Sequence, residues 1–423
     1  MDKLLSFGKV SDSMSIVQGL LGLLVIFGLC YFLSFDRKNI KYKNVAIMLV
    51  AEVVLALVLF RTSLGLTILN GIASGMDWLM AQGIEGVNFV FGGIQLTADG
   101  FVFFLHVLAP LVFITALIGV LNWLGVLPFV VKWVGFGINK LTGAGELESY
   151  FPIASTVFGT PTNYLSVVDQ VRRASEKQLF TLAVIPMSVV TVSMLAAYMK
   201  LVKPQYVVVG VLMQLLSALA VSVIVNPYND KEEIDKGTQA YQEREGIEGD
   251  QAEEAQGEKE KEPFFSMLSD YMVTGWNTAV IVAVMLIGFV ALISMLNSLF
   301  EGLINISFTE LVGYVFSPFA FLMGVPKEDM VQAGSVMAQK VLANEVVAMT
   351  SLSALEGLSE KTAAIMGTYC MSFANFGTLG MVIGGVKAID AHQGNVVAKY
   401  SLKIVLVSTL ASMVTATIVG FLF

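Results

Sequence analysis

The sequence predicts an all-α, polytopic membrane protein, and three observations lead to this class. Hydrophobic residues make up 56% of the 423 residues and charged residues only 14%, whereas a soluble domain carries roughly a quarter charged residues. The apolar residues form blocks long enough to cross a bilayer, which takes about 20 helical residues. Finally, several apolar segments are interrupted by polar residues, in matching order in the two halves of the chain.

The apolar blocks of this length, in chain order, are residues 20–35, 45–60, 101–120, 179–199, 206–225, 274–300 and 401–423. The short loop between the first two blocks is rich in cations, namely Arg37, Lys38, Lys41 and Lys43. Because such cations mark the cytoplasmic side, the N-terminus is expected outside. We interpret residues 63–93, which mix apolar residues with glycines, as an interfacial or amphipathic segment that leads into the next span.

The net charge of −8 belongs to one linker, since residues 230–262 contain thirteen acidic and five basic residues. This linker is predicted to be cytoplasmic and either disordered or loosely helical. The rest of the chain has no basic patch with interleaved aromatics, which argues against nucleic-acid binding. The two cysteines lie far apart in apolar segments, so no disulfide framework or metal motif is expected.

The interrupted segments predict where a functional site lies. In the first half, residues 148–168 are rich in Ser, Thr, Pro and Gly, and residues 184–192 place Pro186 and Ser188 inside an apolar run. In the second half, residues 341–355 and 372–379 repeat this arrangement. A re-entrant-like segment followed by a broken helix in each half is typical of an inverted-repeat transporter with its site near the bilayer midplane.

Glu345 is the sharpest single feature, because a carboxylate inside an apolar segment costs about 2.5–3.5 kcal/mol on insertion scales. A carboxylate accepts hydrogen bonds only, which suits it to a vicinal diol. Snorkelling, or pairing with Lys340, is the alternative interpretation. Asn375 offers donors and an acceptor on a broken helix and could complete a polyol site, or could simply brace a neighbouring helix. Glu52, within a predicted span, ranks below Glu345.

The first interrupted segment carries neutral polar groups at its tip, Thr160, Thr162 and Asn163, which suit a neutral heterocycle. Ser155 and Ser188 could help to bind a cation, or could hydrogen-bond back to helix carbonyls. His106 and His392 form no catalytic pair, and no nucleophile, metal cluster or paired carboxylates accompany Glu345. The sequence therefore does not predict an enzyme and predicts no cofactor.

Several runs resemble the concentrative nucleoside transporter family. They are Gly-Val-Pro-Lys-Glu-Asp at 324–329, Ala-Gly-Ser at 333–335, Lys-Val-Leu-Ala-Asn-Glu-Val-Val-Ala at 340–348 and Ser-Phe-Ala-Asn-Phe-Gly-Thr at 372–378. The resemblance implies about eight transmembrane helices plus two re-entrant helical hairpins in an inverted repeat, in the cytoplasmic membrane. It also implies a homotrimer, an elevator-type motion, and import of nucleosides driven by a proton or sodium gradient.

The resemblance also divides the chain and assigns roles. N-terminal scaffold helices with the interfacial segment occupy 1–143, the first hairpin and transport-domain helices 144–226, and the acidic cytoplasmic linker 227–265. A scaffold helix and a short extracellular helix occupy 266–330, and the second hairpin and transport-domain helices 331–423. Glu345, Asn375 and Thr378 are expected to bind ribose, while Thr160, Thr162, Asn163 and Phe373 are expected on the nucleobase side.

The chain departs from the family pattern at the first hairpin. Gly159-Thr-Pro-Thr stands where the family normally carries Gly-Gln-[Ser/Thr]-Glu, so both polar nucleobase contacts are replaced. This favours purine nucleosides over pyrimidine nucleosides. Ser155 stands where sodium-coupled bacterial members have Asn, which favours proton symport. The alternatives are a transporter of another hydroxylated or nucleobase-like solute, an intramembrane enzyme using Glu345, and a passive channel.

Overall fold

A computed structural model describes residues 13–92, 102–142, 146–159, 163–164, 167–245 and 263–423, and every regular element in these ranges is helical. The helices are α1 (Ser13–Phe32), α2 (Tyr42–Arg61), α3 (Ser63–Phe91), α4 (Leu111–Trp123), α5 (Val126–Thr142), α6 (Glu146–Phe158), α7 (Val168–Arg172), α8 (Glu176–Met187), α9 (Leu195–Leu201), α10 (Pro204–Val225), α11 (Asp230–Glu245), α12 (Phe264–Ile304), α13 (Phe308–Leu322), α14 (Met330–Leu342), α15 (Glu345–Ala354), α16 (Glu360–Tyr369), α17 (Phe376–Ile389), α18 (Ala391–Lys399) and α19 (Ser401–Gly420).

Within the described part of the chain, six segments are long and apolar enough to span a membrane: Tyr42–Arg61, Phe104–Trp123, Glu176–Leu201, Pro204–Val225, Phe264–Ile304 and Ser401–Gly420. The third of these is itself interrupted, since it comprises α8, a break and α9. Three shorter segments are also apolar, namely Ile16–Phe32 of α1, Phe308–Leu322 (α13) and Phe376–Ile389 (α17). The number of about eight spans, which the family resemblance implies, stays a prediction.

The two re-entrant-like segments predicted from the sequence, residues 148–168 and 341–355, each contain parts of two helices. In the second half, α14 ends at Leu342 and α15 begins at Glu345, so only two residues separate the two helices. Asn344 caps α15, because its side-chain oxygen accepts a hydrogen bond from the Val347 N–H at 2.9 Å. This cap satisfies one of the backbone donors that a helix start leaves unpaired. In the first half, α6 and α7 flank the corresponding tip.

Two helices are broken at the positions that the sequence indicated. Helix α8 ends at Met187, directly after Pro186, and α9 begins only at Leu195. Helix α16 ends at Tyr369 and α17 begins at Phe376. The two breaks meet, since the Phe373 N–H donates to the Val189 carbonyl at 3.3 Å. Buried backbone groups need such partners, and here each break supplies one to the other.

The helices around these breaks form tight seams. Helix α2 packs along α10, α10 packs along α19, and α4 packs along α12. Helices α13 and α14 also pack closely, since a Cβ added to Gly334 would lie 2.3 Å from the Gly313 carbonyl oxygen. The interfacial segment expected at 63–93 is the single helix α3, and its buried residues Leu69, Met76 and Met80 recur at helical spacing on one face.

The part of the acidic linker that the structure describes is helical. Helix α11 packs against the start of α8, and a Cβ on Gly237 would lie 2.1 Å from the Arg173 carbonyl oxygen. Its C-terminal turn is tied to the α17–α18 corner by an ion pair between Arg244 and Asp390 at 2.6 Å. The loosely helical alternative therefore holds for 230–245, whereas residues 246–262 lie outside the described ranges.

Candidate functional site

The buried carboxylate of Glu345 lies where the second hairpin, the break before α17 and helix α9 meet. Glu345 is only 6% exposed and is the first residue of α15. Its Oε1 accepts a hydrogen bond from the Tyr198 hydroxyl at 3.0 Å, and its Oε2 accepts one from Asn375 Nδ2 at 3.1 Å. An anionic side chain at a helix start is also favoured by the helix dipole. The carboxylate is thus held by three separate parts of the chain.

Asn375 uses both ends of its amide. While Nδ2 donates to Glu345, Oδ1 accepts from the Thr378 backbone N–H at 2.7 Å and so caps α17. Asn344 caps α15 in the same way. Both asparagines follow an alanine and have extended backbone conformations, with φ of −165° and −149°. Two helix starts with asparagine caps therefore converge on one carboxylate, and a helix start exposes backbone donors to a ligand.

Lys340 is fully buried but does not pair with Glu345. Its Nζ donates to the Tyr369 carbonyl at 2.6 Å, to Ser372 Oγ at 2.6 Å and to Ser412 Oγ at 3.1 Å. An ammonium has three N–H donors, and these three acceptors use all of them. The alternative interpretation, in which Glu345 is simply the ion-pair partner of Lys340, is therefore wrong.

The first hairpin brings two of the predicted residues together. Asn163 is fully buried and donates through Nδ2 to Ser155 Oγ at 2.5 Å and to the Phe151 carbonyl at 3.3 Å. Thr160 and Thr162 lie outside the described residues. Gly159, just before them, has a φ of +81°, a conformation that glycine adopts without strain. A Cβ at this position would lie 3.3 Å from Thr191 Cγ2, so this end of α6 lies beside the break after α8.

The other predicted residues line the breaks. The Ser188 hydroxyl donates to the Val184 carbonyl at 2.8 Å, the backbone interaction that the sequence analysis gave as the alternative to cation binding. Phe373 lies between α16 and α17 with its side chain half-buried, and Thr378 is buried in the first turn of α17. The structure therefore joins Glu345, Asn375 and Thr378 in one cluster, and Ser155 and Asn163 in another.

Family comparisons agree with this arrangement over most of the chain. The family profile described as "Na+ dependent nucleoside transporter N-terminus" matches residues 21–94, and the one described as "Na+ dependent nucleoside transporter C-terminus" matches residues 206–420. These ranges together cover more than half of the sequence. The chain belongs to the Na+ dependent nucleoside transporter family. It is accordingly a multi-pass membrane protein of a family of nucleoside transporters, which are not enzymes.

Individual relatives of this transporter family align over nearly the whole chain. "Purine nucleoside transport protein NupG" of Bacillus subtilis is 29% identical over 412 residues, which cover 96% of this chain and 99% of that protein. "Nucleoside permease NupC" of Helicobacter pylori is 27% identical, with 94% and 96% covered. The solved structure of CNTnw "in an inward-facing substrate-bound state" matches with a TM-score of 0.86 at 28% identity, covering 97% of this chain and 98% of that one. The predicted fold class is confirmed.

Tyr198 is a residue of this transporter's polar cluster that the sequence analysis missed. It is fully buried on α9, the short helix that resumes after the first break, and its hydroxyl bonds the Glu345 carboxylate across 147 positions of sequence. A tyrosine in an apolar segment usually packs its ring and finds a partner for its hydroxyl nearby. The one signal in the sequence was its position: Tyr198 lies just after a predicted helix break, unlike other tyrosines in apolar segments.

Proposed function

We propose that this chain imports nucleosides across the cytoplasmic membrane in symport with a cation, and that the Glu345 carboxylate binds the ribose through hydrogen bonds. The observation that carries the proposal is a buried carboxylate on which Asn375, the capping residue of a broken helix, converges. A buried charge of this kind is costly unless it is paired or functional. No cation pairs with Glu345 among the described residues, because Lys340 is directed to other acceptors.

The free acceptor positions of Glu345 match a vicinal diol. A carboxylate offers about four lone-pair sites, and Tyr198 and Asn375 occupy one on each oxygen. One site on each oxygen is left, which suits the 2′- and 3′-hydroxyl hydrogens of a ribose. We assign Asn375 and Thr378 to the same sugar, since both lie in the first turn of α17 beside this carboxylate.

The nucleobase is assigned to the first hairpin and to the break before α17. Thr160, Thr162, Asn163 and Phe373 are the residues proposed to face it. The hairpin lacks the Gln and Glu of the family pattern, so hydrogen bonds to a pyrimidine edge are reduced, whereas the Phe373 ring offers a surface for stacking. A purine nucleoside is the preferred cargo in this proposal, in line with the name of the NupG relative, a purine nucleoside transport protein.

We assign the coupling ion to the neighbourhood of Ser155 and Ser188 and favour a proton. A sodium ion prefers a shell of several oxygen ligands, whereas the Ser155 oxygen already accepts a hydrogen bond from Asn163. The Ser188 hydroxyl donates its hydrogen to the Val184 carbonyl, so it offers a cation only its own oxygen, which is fewer ligands than a sodium shell needs. The description of the family as Na+ dependent supports the opposing choice, so the experiment below separates the two ions.

Movement is proposed to be of the elevator type within a homotrimer. Helix α4 packs along the 41-residue helix α12, and both belong to the predicted scaffold. Helix α2, also of the predicted scaffold, packs on α10 and α19 of the predicted transport part. The division of the chain into scaffold and transport parts remains a prediction. Solved states of CNTnw that are described as inward-facing and outward-facing match this chain equally well, each with a TM-score of 0.86, which supports alternating access.

Uptake into proteoliposomes tests the proposal. Purified protein is reconstituted, and labelled adenosine, inosine, uridine and free adenine are offered under an imposed inward pH gradient or an imposed sodium gradient. We expect accumulation of the purine nucleosides with the pH gradient in sodium-free buffer. Glu345→Gln should lose accumulation while reaching the membrane at normal levels. Uptake of adenine without any nucleoside would favour the alternative cargo, and a strict sodium requirement would overturn the choice of ion.

A further inference from the structure

Glu52 is a second fully buried carboxylate, and it lies in the seam between α2, α10 and α19. Its side chain is 0% exposed. Ser217 Oγ lies 2.6 Å and Thr415 Oγ1 lies 3.0 Å from Glu52 Oε1, and the two hydroxyls are 2.8 Å apart. Ser217 therefore donates to Oε1, and the single hydroxyl hydrogen of Thr415 is directed either to the same oxygen or to Ser217 Oγ. The other oxygen, Oε2, is buried without a hydrogen-bond partner.

The next turn of the same seam contains another unsatisfied acceptor. Gln214 is three residues before Ser217 on α10, and its Oε1 is also buried without a partner, while its Nε2 donates to Ser412 Oγ at 3.1 Å. A buried polar group without a partner is unfavourable, and more so when it is charged. Glu52 Oε2 and Gln214 Oε1 are thus two buried acceptor oxygens on successive turns that receive no hydrogen bond and contact no cation among the described residues. A proton on the Glu52 carboxyl removes the charge and turns Oε2 into a donor.

A separate set of hydrogen bonds lies one turn away along α10 and α19, and it includes Lys340 of α14 and Ser372 of the break before α17. Ser412 accepts from Gln214 and from Lys340, and it lies 2.6 Å from Ser372 Oγ. Lys340 is on α14, five residues before Glu345, and Ser372 is in the break three residues before Asn375. Glu52 shares no hydrogen bond with this set, so a change of charge at Glu52 acts on it through the electrostatic field, which is strong where the dielectric constant is low, and through the packing of α10 against α19.

No other ionisable group in the described ranges pairs with Glu52. On the four helices packed against α2, the titratable side chains are Tyr206 on α10, Lys403 on α19, Asp77 and Glu85 on α3, and Lys132 and Lys140 on α5. Tyr206 lies near Phe60 at the end of α2, Lys403 lies over the Phe35 ring, and Asp77 pairs with Lys200. The charge of Glu52 is therefore controlled by its own protonation.

We propose that Glu52 carries the coupling proton, which it takes up from the outer solution and releases to the cytoplasm once per transport cycle. This inference rests on the proposed function, since it concerns what drives the same transport. A serine hydroxyl cannot hold an additional proton near neutral pH, so in this inference the neighbourhood of Ser155 and Ser188 can only lie along the path of the ion, whereas Glu52 holds the proton, because burial disfavours the charged form of its carboxyl group. Among the described carboxylates, Glu52 has a fully buried oxygen without a partner, and Glu345 is engaged by Tyr198 and Asn375.

The test separates nucleoside movement from proton movement in proteoliposomes. Glu52→Gln imitates the protonated carboxyl, and Glu52→Asp keeps a titratable group. Exchange of labelled for unlabelled nucleoside involves no net movement of the coupling ion, and Glu52→Gln imitates the proton-loaded carrier, so the variant should retain exchange within about threefold of the wild type. The same variant should accumulate no nucleoside above equilibrium under a pH gradient, and should show no nucleoside-induced change in a dye that reports internal pH. Glu52→Asp should retain both activities.

Several results would overturn the proposal. Glu52→Gln that accumulates nucleoside and moves protons as the wild type does would exclude Glu52, as would wild-type accumulation driven only by sodium. Failure of the wild type to exchange any nucleoside would instead refute the proposed function. If Glu52→Gln does not fold, Ser217→Ala combined with Thr415→Val keeps the carboxyl and removes both donors. Because these hydrogen bonds favour the charged carboxylate, their loss should move the pH of half-maximal uptake upward by about one unit, and an unchanged pH profile would refute the proposal.

Discussion

Asn375→Asp changes one atom of the site and leaves its shape in place. The aspartate keeps an oxygen for the Thr378 N–H, so the cap of α17 is preserved, since Asp caps helices as well as Asn does. The Nδ2 donor that lies 3.1 Å from Glu345 Oε2 becomes a negatively charged oxygen. The variant therefore replaces an attractive contact with a repulsive one between two buried carboxylates.

The size of the effect follows from this distance. Two unit charges 3.1 Å apart repel by about 5 kcal/mol at an effective dielectric constant of about 20. Relaxation of the side chains, or a proton shared between the two carboxyl groups, reduces this figure. We expect at least a hundredfold loss of nucleoside affinity at pH 7.5, which corresponds to about 2.7 kcal/mol. Lowering the pH should restore part of the binding, because a shared proton cancels the repulsion.

Isothermal titration of detergent-solubilised protein with adenosine measures the loss directly, and thermal unfolding monitors the fold. Asn375→Ser is the matched control: it keeps a capping oxygen and adds no charge, so its loss should be about tenfold. Binding of adenosine to Asn375→Asp within threefold of the wild type, at unchanged unfolding temperature, would show that Asn375 does not face Glu345 in the binding site.

Three further substitutions test the surroundings of the site. Tyr198→Phe should raise the KM for nucleoside about tenfold, since a hydrogen bond to a charged group contributes about 1.5–3 kcal/mol; an unchanged KM in uptake assays would remove Tyr198 from the site. Asn344→Ala should lower stability by about 1 kcal/mol through loss of the α15 cap, seen as a lower unfolding temperature, and Asn344→Ser should restore it. Gly334→Ala should destabilise the α13–α14 seam by about 1–3 kcal/mol, because its Cβ would overlap the Gly313 carbonyl. Gly380→Ala, which meets no atom within 4 Å, should not destabilise, and equal unfolding temperatures for these two glycine variants would contradict the packing described.

Much of the architecture was predictable because lipid imposes simple rules on sequence. Length and hydropathy located the spans, and the polar interruptions located both breaks, since Pro186 and the 370–375 segment disfavour a continuous helix. Helix α3 was less predictable, because its glycines hid a regular stripe of buried residues. The linker helix α11 was also only partly expected, since its contacts with Arg173 and Asp390 join parts of the chain that lie far apart in sequence.

The site was predictable where local chemistry was unusual and was missed where it depended on long-range contacts. Glu345 stood out because a charge in an apolar run is costly, and Asn375 because an amide ended a helix break. Tyr198 is an ordinary residue for its segment, and only the folded chain brings it within 3.0 Å of Glu345. The polar contacts around Glu52 and around Lys340 likewise come from single serines and threonines on separate helices, none of which is unusual in its own sequence context.

Binding of a ribonucleoside compared with its 2′,3′-dideoxy analogue, measured by titration in the wild type and in Glu345→Gln, tests the central claim most directly. Two hydrogen bonds to a charged acceptor contribute at least about 3 kcal/mol, so the wild type should prefer adenosine over the dideoxy analogue by about 150-fold. Glu345→Gln should reduce that preference to less than about tenfold. Equal affinity of the wild type for both ligands, or an undiminished preference in Glu345→Gln, would contradict the assignment of Glu345 to the ribose.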